Sequence, residues 1–103
     1  MDKRIFGSLG IAAKAGFVVS GEFSVEKAIK ERKAFLVIVA DDASENTKKH
    51  FKDMCTFRDI PIRFFGTKET IGQCIGKMFR ANIALTDAGF ADSVKNRIDG
   101  SNI

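Results

Sequence analysis

Apolar positions along the chain alternate between two spacings. From the N-terminus, Ile5, Leu9, Ala12 and Ala13 fall three and four apart, the spacing of one helical face. Asp2 stands where a cap belongs, and Gly16 stands where such a helix stops. "FVVS" then makes a short strand, and a second helix begins after Gly21. Its inner face is Val25, Ala28 and Ile29; Glu22, Glu26, Lys27, Lys30 and Glu31 face outward. "AFLVIVA" (34–40) is apolar at every position, as expected of a central strand covered on both sides.

The alternation continues to the C-terminus. "DDASENTKK" opens a third helix capped by Asp42 or Ser44, with Phe51, Met54 and Cys55 as its apolar stripe. "IPIRFFG" is the next strand, with Pro61 at its start, where a missing N–H is tolerated. Thr67 caps "KETIGQCIGKM", whose inner face is Ile71, Cys74, Ile75 and Met78. "ANIALTD" is the last strand, and Asp87 caps a helix carrying Phe90, Val94 and Ile98. Only the terminal "DGSNI" reads as loose. Four strands alternating with five helices predict an α/β fold, a three-layer α/β/α sandwich around a mixed four-stranded sheet. Residues 1–103 read as one domain, without linker, repeat or low-complexity segment.

Composition adds the partner class. Seventeen basic against thirteen acidic residues leave a net charge of +4, which favours anionic partners, nucleic acid ahead of membrane. The "MDKRIFGSLGIAAKAG" start is interrupted by Lys14 too early for a secretory leader, and no stretch approaches a membrane span. A cytoplasmic protein is expected. Cys55 and Cys74 sit among apolar residues with no zinc spacing, so they read as free thiols, and no metal or cofactor is expected. Most of the ten phenylalanines read as core.

Four places are candidates for chemistry. Gly21 opens a helix whose free N–H groups and positive dipole end suit a phosphate, with Lys14, Lys27 and Lys30 as surrounding cations. The alternative is a plain strand–turn–helix corner with solvated lysines. Asp41 and Asp42 follow the central strand and, with Lys68, are the elements of a phosphoryl-transfer site; a helix-capping role competes with that reading. His50, in "KKHF", is a solvated surface residue without a nucleophile near it in sequence. "GKMFRANIA" places Phe79 beside Arg80, a pairing that suits stacking and phosphate contact with an unpaired base, unless Met78 and Phe79 pack inward.

The glycine junction and this loop, with "LGIAAKAG", "VVSGE…VEKAI", "LVIVADDASENTKK", "IPIRFFGTKETIG" and "NIALTDAGFA" in order, carry a resemblance. Over about residues 4 to 95 the chain resembles the kink-turn RNA-binding ribosomal-protein family, and within it the bacterial YlxQ-type branch. The resemblance implies an α/β/α sandwich that grips RNA by the start of the second helix and the loop before the last strand. It matches Gly21 to the family glycine, Lys27 to the helix lysine and Arg80 to the loop arginine. Phe23 and Ser24 stand where the family carries the Asn–Glu pair that reads tandem sheared G·A pairs, and Ser44 stands in place of an acid that contacts a flipped nucleotide.

The expected function is therefore non-enzymatic binding of structured RNA, a kink-turn or a related fold, rRNA included, by a monomer. The expected contacts are Lys14, Gly21, Glu22, Phe23, Ser24, Lys27, Lys30, Phe79 and Arg80. Phosphate contacts would supply most of the affinity. The competing expectation is a module that docks on the ribosome or a translation factor through Phe23.

Overall fold

A computed structural model describes residues 3–101. Among these residues the chain forms helices α1 (Lys3–Lys14), α2 (Glu22–Lys30), α3 (Glu45–Phe57), α4 (Lys68–Cys74) and α5 (Ala88–Gly100). The strands are β1 (Val18–Ser20), β2 (Leu36–Val39), β3 (Ile62–Phe64) and β4 (Asn82–Leu85). They form one mixed sheet in the order β1-β4-β2-β3. β2 pairs parallel with β3 and antiparallel with β4, which in turn is antiparallel to β1. Among the described residues no helix is long and apolar enough to cross a membrane.

The two-sided burial of β2 explains the apolar run. Leu36 and Ile38 face one side, where Ile5 and Leu9 of α1, Ile71 of α4 and Val94 of α5 cover them. Val37 and Val39 face the other, against Val25 and Ile29 of α2 and Phe51 and Cys55 of α3. Each fully buried side chain of this size contributes about 1.5–3 kcal/mol over its exposed state. The three layers are thus α1, α4 and α5, the sheet, and α2 with α3. Phe6, Phe17, Phe51, Phe64, Phe65 and Phe90 belong to these cores, as most of the phenylalanines were expected to.

The caps are mostly those read from the chain. Ser44 Oγ accepts from Thr47 N–H at 3.1 Å, Thr67 Oγ1 from Thr70 N–H at 3.1 Å and Asp87 Oδ2 from Phe90 N–H at 2.9 Å. Asp42 does not cap α3; its Oδ1 accepts from Lys68 N–H, at the start of α4, at 2.9 Å. The assignment of Asp2 as a cap lies outside the described residues.

Two further expectations fail. Met78 is not on the inner face of α4: the helix ends at Cys74, Gly76 turns into the left-handed region at φ +74°, and Met78 emerges in the loop, 77% exposed. The C-terminal segment is not loose up to residue 101, since α5 runs through Gly100 and Ser101 Oγ donates back to Ile98 O.

Candidate nucleic-acid interface

The strand directions decide where the candidate residues meet. β1, β2 and β3 run the same way and β4 runs against them. Their carboxyl ends, the starts of α2, α3 and α4, and the loop entering β4 therefore share one edge of the sheet. Open α/β sheets place ligands at such an edge.

Backbone hydrogen bonds tie this edge together. Gly21 N–H donates to Asn82 O at 3.2 Å, Ala40 N–H to Ala81 O at 2.8 Å and Asp41 N–H to Gly66 O at 2.8 Å. Arg80 N–H donates to Lys68 O at 3.0 Å, which pins the loop to the first turn of α4. Its guanidinium then crosses to the end of β1, just ahead of the second helix: Nε donates to Ser20 Oγ at 3.0 Å, and Nη1 folds back to Phe79 O at 2.8 Å. Arg80 and Gly21, far apart in the chain, become neighbours through Ser20. Nη2 has no hydrogen-bond partner among the described residues.

Gly21 lies at φ +89°, ψ 154°, a backbone state that L side chains rarely adopt. A Cβ there would meet nothing within 4 Å, so conformation and not crowding demands glycine. No side chain caps α2, whereas α3, α4 and α5 are capped by Ser44, Thr67 and Asp87. Its first-turn N–H groups and its positive dipole end are open to an anion.

Gly72 is required for a different reason. An added Cβ would lie 1.6 Å from Met78 O, so the loop presses directly on the α4 backbone. Lys77 N–H donates to Gly72 O at 2.8 Å. This close approach turns Met78 and Phe79 outward, the latter 62% exposed. The inward-packing alternative for these two side chains is excluded.

Along α2, Phe23, Lys27 and Lys30 occupy the outermost face, and Phe23 is 79% exposed. Phe23 and Lys27 line a hollow of about 250 Å³ with Lys30 and another of about 300 Å³ with Ser24 and Lys33. Lys27 and Lys30 carry no ion pair among the described residues, so both charges are free. Lys27 lies ~7.5 Å down the helix axis from Glu22, and Lys30 ~12 Å down it. Ser24 Oγ likewise has no hydrogen-bond partner among the described residues. The Ser44 hydroxyl is engaged, accepting from Thr47 N–H and donating to Thr47 Oγ1.

Lys14 stands apart. It ends α1 ahead of β1, whereas Gly21 follows β1, and it lines a separate hollow with Gly10, Ala13 and Gln73–Gly76. A roomier hollow of about 490 Å³ lies along α3, lined by Glu45, Lys48, Lys49, Lys52 and Phe64. There Lys48 turns to Glu45 at 3.8 Å and Lys49 to Asp53 at 2.8 Å.

Three features of this region escaped the sequence reading. Asn82 opens β4 on the α2–α3 side, only 3% exposed, and its Oδ1 has no partner among the described residues. An asparagine in an otherwise apolar strand was the available signal, because the residue is depleted in strands. His50 is exposed as expected, but it is not merely solvated: its Nε2 is hydrogen-bonded to Glu26 Oε1, and Glu22 stands close by. Asp42 Oδ1 accepts from the Lys68 backbone N–H, so this carboxylate ties the end of β2 to the start of α4. The thiols of Cys55 and Cys74 are free and pushed up to about 11 by burial, far from a reactive thiolate.

The comparisons agree with this architecture. Residues 3–95 match the model of the ribosomal protein L7Ae/L30e/S12e/Gadd45 family, and the chain belongs to that family. It is similar to the RNA-binding protein YlxQ of Bacillus subtilis, 39% identical over 94 residues that cover 91% of this chain and 94% of the relative. A large ribosomal subunit protein eL8 of Haloquadratum walsbyi is 36% identical over 84% of this chain and 73% of its own. A solved Bacillus halodurans protein of unknown function superimposes with a TM-score of 0.92 at 36% identity, covering 95% of this chain and 99% of its own. The Giardia lamblia 15.5kD RNA binding protein, at 18% identity, shares the fold with a TM-score of 0.78 over 92% of this chain and 84% of its own.

Proposed function

We propose that this protein binds a structured RNA, a kink-turn or a related kinked fold with rRNA among its candidates, and catalyses nothing. It acts as a monomeric single domain in the cytoplasm. The observation that carries the reading is the Arg80–Ser20 contact, which sets a cation beside the uncapped start of α2. The names of the YlxQ relatives, RNA-binding proteins, support the ligand class.

In this reading the first-turn N–H groups of α2, Lys27 and Arg80 hold phosphates. Lys30 adds longer-range attraction, and Lys14 approaches only an RNA that extends past the edge. Phe23 and Phe79 offer flat surfaces to unpaired bases, each such stack being worth about 1–3 kcal/mol. Ser24 offers one hydroxyl, and Glu22 faces the same ligand. The contact set thus grips the backbone strongly and reads bases through stacking more than through an amide.

Lys27→Ala tests the edge. It is expected to weaken all RNAs alike and to lower the slope of log affinity against log salt by about 1. Unchanged affinity and slope would remove α2 from the interface. The second reading, docking on the ribosome or a translation factor, is favoured by the exposure of Phe23. RNase-resistant association that needs Phe23 would support it.

A further inference from the structure

Between α2 and α3, Glu22, Glu26 and His50 each offer a ligand atom, and the three atoms lie within 4.8 Å of one another. The geometry points to a divalent transition-metal site on this flank of the protein, one that shares Glu22 with the proposed RNA-facing edge. Glu22 and Glu26 are one turn apart on α2, and Glu26 Oε1 is hydrogen-bonded to Nε2 of His50 on α3. Like charges at this spacing repel each other on a bare helix. Glu22 has no cation partner among the described residues, so the pair is relieved only through His50 and whatever else enters the site.

The donor set narrows the ion. Two carboxylate oxygens and one imidazole nitrogen suit Zn²⁺, Co²⁺ or Mn²⁺, whereas Mg²⁺ and Ca²⁺ prefer all-oxygen shells. The two helices that supply the ligands are held in a common core by Val25, Ile29, Phe51 and Cys55. Their backbones therefore stay fixed while exposed side chains adjust by a rotamer. Three protein ligands leave a coordination position open to water or an oxyanion. The competing account is a simple Glu26–His50 hydrogen bond with Glu22 idle.

Calorimetric titration of Zn²⁺ into the wild type, Glu22→Gln and His50→Ala separates the two, with Co²⁺ absorption as a second readout. One ion per chain is expected in the wild type, with affinity lowered roughly tenfold or more in each variant, at least the loss that follows removal of a second-shell partner. The Co²⁺ spectrum should lack a thiolate charge-transfer band. Glu22 makes no side-chain bond among the described residues, so Glu22→Gln should keep the wild-type circular dichroism and melting point. Absence of binding, equal Zn²⁺ affinity in Glu22→Gln and the wild type, or a thiolate band from Cys55 or Cys74 would each overturn the site.

Discussion

Arg80 Nε donates to Ser20 Oγ at 3.0 Å, joining the loop before β4 to the last residue of β1. The guanidinium is thereby aimed beside Gly21, with no carboxylate among the described residues to neutralise it. An arginine held by a neutral hydroxyl keeps its full charge for a phosphate. Ser20→Ala should release it. RNA affinity is expected to fall by roughly 1 kcal/mol, about fivefold, with less effect in the Arg80→Ala background. A double-mutant cycle on RNA affinity reads this directly; additive losses would mean that Ser20 does not position Arg80.

Gly72 holds the loop in place by having no side chain. Gly72→Ala puts a methyl group into the Met78 carbonyl, so the loop must lift away from α4. A loss of about 1–3 kcal/mol is expected in urea unfolding, the usual cost of an overpacked site. RNA affinity should drop as well, because Phe79 and Arg80 ride on that loop. A stability equal to wild type would show that the close approach is not maintained in solution.

Asn82 has the opposite relation to stability. Its buried Oδ1 has no partner among the described residues, and a strand position flanked by apolar residues favours a β-branched side chain. Asn82→Val is expected to raise stability by about 1 kcal/mol, measured as a higher urea midpoint at constant m. A lowered midpoint would show that the amide is satisfied in solution and contributes to the fold.

Much of the fold was legible because it rests on local rules. The apolar run of β2, the stripe of α2 and the caps at Ser44, Thr67 and Asp87 are each set within a few residues. Failures arose where the cause is distant or conformational. Met78 continued the helical spacing of Ile71 and Cys74, but the left-handed turn at Gly76 ends the helix before it. Sequence position offers both Asp42 and Ser44 to the helix that follows; Ser44 takes the cap, and the acceptor of Asp42 is used by α4, 26 residues on. The Glu26–His50 bond spans 24 residues and two helices, so no spacing rule reveals it.

The candidate interface was legible in its parts and not in its assembly. Gly21, Lys27, Phe79 and Arg80 could each be singled out by residue type. That Arg80 reaches Ser20 follows only from the strand order, in which β4 lies beside β1. Lys14 is set apart from the helix start by β1, which carries the chain from one edge of the sheet to the other between them.

The most direct measurement is wild-type binding to a kink-turn RNA and to the same RNA with its tandem G·A pairs replaced, at low and high salt. The account predicts binding to the kink-turn RNA that falls steeply with salt, and weaker binding to the control. Equal binding to both would contradict kinked-RNA preference while leaving the phosphate grip of Lys27 and Arg80 intact. No binding to either RNA at low salt would contradict the RNA-binding edge itself.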